Sequence, residues 1–185
     1  INYVDEFVAW VTGGTDRTLE IVRAYTSRVY TLQIPPEAVD FGMMESIVCH
    51  LGKSEWVLRV DGDETLSNGD RLQELIESEQ YGAWKLPRYR WADLEMTTQL
   101  EKDMFPDWQP RLFLNDGHSW YLDALHPRFE TPHPIGETYD VWLNHHVDTL
   151  HLQDPTRRAE REKLYSILAK KAGKELSPDA AALFA

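Results

Sequence analysis

The chain has few basic residues for its number of acidic ones. Its 185 residues include 19 lysines and arginines against 31 aspartates and glutamates, a formal net charge of −12 at pH 7. Binding to nucleic acid or to an anionic membrane needs a dense patch of lysine and arginine that neutralises phosphates. No stretch of the sequence has that density, so we expect no nucleic-acid partner. An anionic substrate would need a metal ion or a local arginine cluster.

Cysteine and long apolar runs are also scarce. Cys49 is the only cysteine, which excludes an internal disulfide framework and suits a reducing compartment. The sequence contains no signal peptide and no apolar run long enough to cross a bilayer. These features predict a cytoplasmic protein. Because the chain starts at Ile1 and enters a strand-like segment almost at once, we also expect that an N-terminal element is missing from it.

What the sequence does contain is an alternation of apolar strands with amphipathic helices. The predicted strands are 6–11, 28–33, 56–60, 83–91 and 111–113, with a returning strand from Trp120 after a hairpin at 115–117, and the predicted helices begin near residues 16, 41, 68 and 155. In the second helix, Met43, Ile47 and Val48 are expected to face the core. The alternation predicts an α/β fold with a mainly parallel sheet flanked by helices, followed by an antiparallel, aromatic-rich part and terminal helices.

One predicted strand delivers carboxylates at its end. Residues 56–60 are apolar except for one arginine, and Asp61, Asp63 and Glu64 follow around Gly62. In open α/β sheets the ligand crevice lies at the carboxyl ends of the strands. Two aspartates separated by one small residue can share a hard divalent cation whose other ligands are water and phosphate oxygens. A solvated acidic turn is the alternative interpretation.

Five features in this order resemble a bacterial family 2 glycosyltransferase. They are the turn at 13–18 (GGTDRT), Phe41 before a helix, the segment 55–64 (EWVLRVDGDE), the segment 106–113 (PDWQPRLF) and His126, and together they span roughly residues 4 to 170. The resemblance implies a single domain over 1–185 with a GT-A-like, Rossmann-like fold. Residues 1–80 would form the nucleotide-sugar and metal half, 81–150 the acceptor half, and 151–185 C-terminal helices.

The resemblance also implies an activity and a metal site. The enzyme would transfer a sugar, with inversion, from a nucleoside diphosphate sugar to a saccharide or lipid-linked acceptor of a surface polymer. Asp63 would bind Mn²⁺ or Mg²⁺ directly, Asp61 would face the ribose or a metal-bound water, and His126 would complete the metal site. The glycine turn with Gly13 and Asp16 would belong to the nucleotide-sugar site, since such turns offer backbone N–H groups to phosphates.

Glycosyl transfer needs two further groups, which we predict from the residues themselves. Arg111 or Arg88 can make forked contacts with phosphate oxygens. A carboxylate within hydrogen-bond reach of the acceptor hydroxyl must serve as general base. We predict Asp107 as this base because it lies in a loop before the Arg111 strand that could face the metal, and Asp123 and Glu64 are alternatives.

The acceptor site is predicted in the aromatic, basic part of the chain. Trp84, Arg88 and Trp108 are the predicted acceptor contacts. Most aromatic residues of this part belong to the core by default, but their number favours at least one exposed ring that stacks on a sugar.

The C-terminal part adds two features. Its histidines and aspartate match no standard zinc spacing, so we interpret them as a loop or strand-end cluster; they are His145, His146, Asp148 and His151. The basic pairs at 157–158 and 170–171 could make a peripheral contact with a membrane, although a solvated helix is the default interpretation.

Departures from the family pattern leave two other functions open. Family members usually carry an aspartate where this chain has Val11, and an Arg-Asn pair where it has Glu45 and Ser46. These departures favour a noncatalytic sugar-binding or assembly module. Residues 61–65 (DGDET) also fit the motif of haloacid dehalogenase phosphohydrolases, with Asp61 as nucleophile, but the later acidic pair which that chemistry needs is absent from the sequence.

Overall fold

The computed structural model of the chain describes residues 2–12, 16–32, 34–35, 38–100, 102–146 and 155–171. In chain order the elements are β1 (Ala9–Val11), α1 (Thr18–Arg23), β2 (Val29–Thr31), α2 (Phe41–His50), β3 (Trp56–Leu58), β4 (Glu64–Ser67), α3 (Leu72–Glu77), β5 (Ala83–Arg90), β6 (Asp107–Leu114), β7 (Trp120–Leu122), β8 (Arg128–Glu130), β9 (Ile135–Glu137), β10 (Trp142–His145) and α4 (Pro155–Lys171). Within these described ranges, no helix combines the length and the apolar character needed to cross a membrane.

The elements divide between two compact units. The first unit comprises Ile1–Ser54, Ser119–Glu130 and Arg161–Ala185, and the second, here called the sheet unit, comprises Glu55–His118 and Thr131–Glu160. Each unit takes segments from separate parts of the chain, whereas the predicted halves follow one another. That residues 1–185 form a single domain stays a prediction.

The sheet unit is built on one mixed sheet of six strands. The strand order is β3-β6-β5-β10-β4, and β9 also pairs with β5. Antiparallel ladders join β3 to β6, β6 to β5, and β10 to β4, while β5 pairs in parallel with β10 and β9. The predicted mainly parallel, GT-A-like sheet flanked by helices is therefore wrong.

The connection after β3 is too short for the helical crossover that a parallel neighbour would need. Parallel neighbours need a crossover of a dozen or more residues, usually with a helix. Only residues 59–63 separate β3 from β4, and α3 has only six residues. The acids after β3 therefore lie in a turn between the first and the last strand of the sheet order. The sheet is curled, so this short turn can join β3 to β4. Across the curled sheet, Arg111 Nη2 of β6 donates a hydrogen bond to Glu64 Oε1 of β4.

The core of the sheet unit lies between this sheet and α3. Its buried members come from the helix, from β5 and β6 and from the segment before β10: Leu72, Leu75, Trp84, Leu86, Leu112 and Val141. They occupy one part of the sheet face, and charged side chains occupy another. The alternation of side chains along β5 and β10 therefore provides both a core and a polar site on the same face.

In the first unit, α2 buries a different face from the predicted one. Met43 is 51% exposed and Ile47 is 39% exposed, so the expectation that they face the core is wrong. The buried positions are instead Gly42, Met44, Ser46 and Cys49. Gly42 and Ser46 lie where the β7 segment comes close to the helix: a Cβ on Gly42 would meet Leu122, and the Ser46 hydroxyl accepts a hydrogen bond from Tyr121 N at 2.7 Å and donates one to Tyr121 O at 2.9 Å.

Other local predictions are confirmed in part. Strands occur at each predicted strand segment, although several are shorter, and α4 begins at Pro155 as expected. Gly117 adopts a positive φ of 81°, which suits the predicted turn. The hairpin prediction is nevertheless wrong, because β6 pairs with β3 and β5 whereas β7 pairs with β8.

Candidate functional site

The acidic turn, residues 61–64, is held at three backbone points. The Glu64 carboxylate accepts a hydrogen bond from Asp61 N at 3.0 Å, and Glu64 N donates to Asp61 O at 3.0 Å. Asp63 O accepts from His146 N, also at 3.0 Å. Because both ends of the turn and its second aspartate are tied to strands β4 and β10, the direction of the Asp63 side chain is set by the sheet.

A bulge in β6 supplies the guanidinium group beneath this turn. The register between β5 and β6 shifts so that Trp84 pairs with Leu112 but Lys85 pairs with Pro110, which leaves Arg111 as an extra residue. Such bulges re-aim a side chain. Arg111 is 1% exposed, and its Nη2 donates to Asp61 Oδ2 at 2.8 Å and to Glu64 Oε1 at 2.7 Å.

Both carboxylate oxygens of Asp61 therefore accept hydrogen bonds from arginine side chains. Its other oxygen, Oδ1, accepts a hydrogen bond from Arg59 Nη2 at 2.7 Å. Burial raises the pKa of Asp61, but the positive charges of Arg111 and Arg59 and the hydrogen bond from Arg111 outweigh this effect and hold the pKa below its ordinary value of 3.8. Asp61 is ionised at neutral pH, and each of its carboxylate oxygens accepts a hydrogen bond from a guanidinium group.

The predicted base Asp107 is held in the same way. Its Oδ2 accepts hydrogen bonds from Arg88 Nε at 2.8 Å and from Arg88 Nη2 at 2.6 Å, and its Oδ1 accepts from Gln109 Nε2 at 2.6 Å. Arg88 also reaches Glu64 Oε1 at 3.4 Å. With these contacts the paired side chains form one charged cluster of three guanidinium groups and three carboxylates, which comprises Arg59, Asp61, Glu64, Arg88, Asp107 and Arg111.

The Asp63 carboxylate lies beside a histidine. Its Oδ2 lies 3.3 Å from Nε2 of His145, and the two side chains are 22% and 12% exposed. His145 follows Val141 and Leu143 at two-residue spacing, so it shares their face of the sheet. The alternation of β10 was the signal that could have singled out this histidine from the sequence. His146 belongs to the other face and lies 3.3 Å from the Thr65 hydroxyl.

The predicted acceptor residues have different surroundings. Trp84 is 6% exposed and packs edge-on against Tyr81 in the core, so its ring is not available to a ligand. Trp108 is half-buried and packs edge-on against Tyr139 at a centroid distance of 5.0 Å. Tyr139 is 59% exposed, and sequence reasoning did not select it. Trp108 and Tyr139 thus form the accessible part of an aromatic group that also includes Phe105.

The remaining predicted residues belong to the first unit or lie outside the described ranges. His126 has a positive φ of 59° and packs edge-on against Tyr165 at 6.2 Å. Asp16 precedes Arg17, the N-cap of α1, and its Oδ1 accepts a hydrogen bond from Thr18 N at 3.0 Å. Gly13 lies outside the described residues. The predicted contacts of these three residues with metal or nucleotide stay predictions.

The carboxylates of the turn are of the ligand type that hard divalent cations prefer. In the described part of the chain, no group of three or more histidine, cysteine, aspartate or glutamate side chains could hold a metal ion. Mg²⁺ and similar ions are commonly bound through one or two protein ligands together with substrate phosphates and water. Asp63 offers a carboxylate of this kind, and a cation on Asp61 would have to displace Arg59 or Arg111.

Comparison with known proteins adds no family assignment. No protein-family model matches the chain, and a search of curated proteins finds no match. The resemblance to family 2 glycosyltransferases therefore stays a prediction based on the residues that carry it.

Proposed function

We propose that the chain binds a nucleoside diphosphate sugar through Mn²⁺ or Mg²⁺ at Asp63 and transfers the sugar to a saccharide or lipid-linked acceptor of a surface polymer. The observation that carries this proposal is the acidic turn. Its backbone is tied at three points and it rests on a buried guanidinium group. A catalytic cation needs a carboxylate fixed by its supporting residues, and Asp63 has that support.

The residues around the turn have distinct roles in this proposal. When bound, the cation would stabilise the negative charge of the leaving diphosphate as a Lewis acid. Arg111 is too deeply buried to contact a phosphate, so it acts by holding Asp61 and Glu64. Arg88 and Arg59 are 19% and 14% exposed and are the guanidinium groups that a diphosphate can reach. The ligand contacts that the resemblance implies for His126, Asp16 and Gly13 stay predictions.

Carbohydrate stacking supports the acceptor side of the proposal. Trp108 and Tyr139 present partly exposed aromatic rings in the same unit as the acidic turn. A partly exposed aromatic ring can stack on the apolar face of a sugar. We therefore replace Trp84 by Tyr139 in the proposed acceptor site. A cytoplasmic location and a peripheral membrane contact through the basic pairs of α4 also belong to the proposal.

A noncatalytic sugar-binding module is the second candidate, and one observation favours it. Asp107 accepts three hydrogen bonds from Arg88 and Gln109, and the alternative base Glu64 has a side chain with 0% exposure. Neither carboxylate is placed to accept a proton from an acceptor hydroxyl without rearrangement. The phosphohydrolase alternative has less support, because both oxygens of its nucleophile Asp61 bind guanidinium groups.

A thermal-shift panel of UDP, GDP, CDP and dTDP sugars, with and without Mn²⁺, tests the proposal. A ligand at about a hundred times its dissociation constant stabilises a protein by about 2.7 kcal/mol, which for a chain of this size raises Tm by about 5–10 °C. We expect such a shift with one nucleotide and only with Mn²⁺. Release of the nucleoside diphosphate on addition of acceptor then separates a transferase from a binding module, and no shift with any donor would refute both.

A further inference from the structure

Asp107 uses its two carboxylate oxygens for two different partners. Both hydrogen bonds from Arg88 end on Oδ2, from Nε at 2.8 Å and from Nη2 at 2.6 Å. Oδ1 accepts a hydrogen bond from Gln109 Nε2 at 2.6 Å. Arg88 lies on β5, directly opposite Asp107 in the ladder, whereas Gln109 lies on the same strand as Asp107. A movement of Arg88 would therefore free Oδ2 while Gln109 still fixed the orientation of the carboxylate.

The pair of Arg88 and Asp107 is an accessible part of the charged cluster. Its side chains are 19% and 26% exposed, whereas those of Arg111 and Glu64 are 1% and 0% exposed. Ion pairs that solvent reaches contribute little to stability, but breaking a buried pair leaves an uncompensated charge and is strongly destabilising. Arg88 can therefore change its partner at a much lower cost than Arg111 can.

Glu64 does not depend on Arg88 for its place in the acidic turn. The distance from Arg88 Nη1 to Glu64 Oε1 is 3.4 Å, which is long for a charge-assisted hydrogen bond. Arg111 Nη2 lies 2.7 Å from the same oxygen, and the other Glu64 oxygen accepts a hydrogen bond from Asp61 N at 3.0 Å. The turn therefore stays held when Arg88 moves, and Arg88 chiefly gives up its two bonds with Asp107.

We propose that Arg88 exchanges Asp107 for the diphosphate of the donor, and that this exchange makes Asp107 available as the general base. The inference rests on the proposed function and adds to it a link between donor binding and proton transfer. A diphosphate carries more negative charge than a carboxylate, and its oxygens suit the fork of a guanidinium group. Until a donor binds, Arg88 occupies Oδ2.

The freed oxygen has a defined part in the reaction. Asp107 Oδ2 accepts the proton of the acceptor hydroxyl while the hydroxyl oxygen bonds to the anomeric carbon of the sugar. The bond from that carbon to the diphosphate breaks at the same time, and its electron pair leaves with the diphosphate that Arg88 now contacts. The same guanidinium group thus binds the leaving group and uncovers the base, so proton transfer waits for the donor.

Calorimetric titration of the full chain measures the competition for Arg88. The probe is the one of UDP, GDP, CDP and dTDP that raises Tm most in the presence of Mn²⁺. Asp107→Asn removes the charge but keeps an Oδ1 acceptor for Gln109. We expect D107N to bind about three to ten times more tightly than the wild type, because the diphosphate no longer displaces a carboxylate. Arg88→Met should bind about ten times more weakly, and in R88M the added D107N should change affinity by less than about twofold.

Glu137→Gln is the matched control. Glu137 is a partly exposed carboxylate that pairs with Lys85 Nζ at 3.0 Å, also on β5, and E137Q should bind like the wild type. If D107N binds no more tightly than the wild type, or gains as much in the R88M background, Asp107 does not compete for Arg88. The inference is then overturned while donor binding stands. If the wild type binds none of the four nucleotides, the proposed function fails and the inference fails with it.

Sugar transfer provides the second measurement, because the inference predicts opposite effects of D107N on binding and on turnover. D107N should hold the nucleotide more tightly yet transfer sugar at least about a hundred times more slowly, since a general base contributes about 10²–10⁴-fold. A loss of folded structure would weaken both properties together, and circular dichroism of each variant verifies that it is folded. Transfer by D107N at the wild-type rate would overturn the inference while the transferase itself stands.

Discussion

Replacing Arg111 by methionine should remove a large part of the stability of the sheet unit. Arg111 is 1% exposed, the Glu64 side chain is 0% exposed, and their atoms are 2.7 Å apart. Methionine fills similar volume but leaves Glu64 and Asp61 without their shared guanidinium group. Removing one member of a buried ion pair typically costs about 3–5 kcal/mol, and a whole domain is stable by only about 5–15 kcal/mol. We therefore expect a loss of about 3–5 kcal/mol in the free energy of unfolding.

Urea unfolding at pH 7 and 25 °C, followed by tryptophan fluorescence and by circular dichroism, measures this loss. The double variant Arg111→Met with Glu64→Leu should be more stable than Arg111→Met alone, because it leaves no unpaired charge at position 64. Arg17→Met is the surface control. Arg17 and Glu20 form a pair whose side chains are 77% and 66% exposed, so breaking it should have no measurable effect. If Arg111→Met were as mild as the surface control, or if the double variant lost the sum of the two single losses, the argument about the buried pair would be refuted.

Two further predictions concern other contacts. Gly42→Ala should lower the free energy of unfolding by about 1–3 kcal/mol, because a Cβ at Gly42 would lie 2.7 Å from the carbonyl carbon of Leu122; urea unfolding measures it, and an unchanged midpoint would show that the close approach is absent. The ionised form of Asp61 stabilises the fold because its pKa is lower in the folded state than its ordinary value of 3.8, so this stabilisation is complete above that value and is lost as pH falls through the folded pKa. The difference in stability between wild type and Asp61→Asn should therefore be constant near neutral pH and shrink in acid, and a difference that grows in acid would contradict the sign of the shift.

Local patterns predicted the elements of the chain better than their pairing. The apolar run before Asp61 was correctly predicted as a strand, because that prediction depends only on neighbouring residues. The sheet order depends on which distant strands meet. The pairing of β10 with β4 and β5 depends on packing across the whole sheet unit, which periodicity along a single strand does not encode. The prediction of a mainly parallel sheet was therefore wrong.

The candidate site was predictable in its carboxylates but not in their partners. Asp61, Asp63 and Glu64 stand out because acids follow an apolar strand. The roles of Asp61 and Glu64 depend on Arg111, which reaches these two carboxylates through the bulge in β6. Pro110 inside an otherwise regular strand was the available signal for that bulge, since proline cannot donate a hydrogen bond to a ladder and is often found at bulges.

Isothermal titration calorimetry of wild type and Asp63→Asn, with the nucleotide sugar that gives the largest thermal shift, tests the central claim most directly. The titrations are made with Mn²⁺ and with chelator, and Asp116→Asn serves as a control for removal of a carboxylate elsewhere in the sheet unit. We predict binding by the wild type and by Asp116→Asn only when Mn²⁺ is present, and no binding by Asp63→Asn. Equal affinity of the wild type and Asp63→Asn, or equal affinity with and without the metal, would contradict the account.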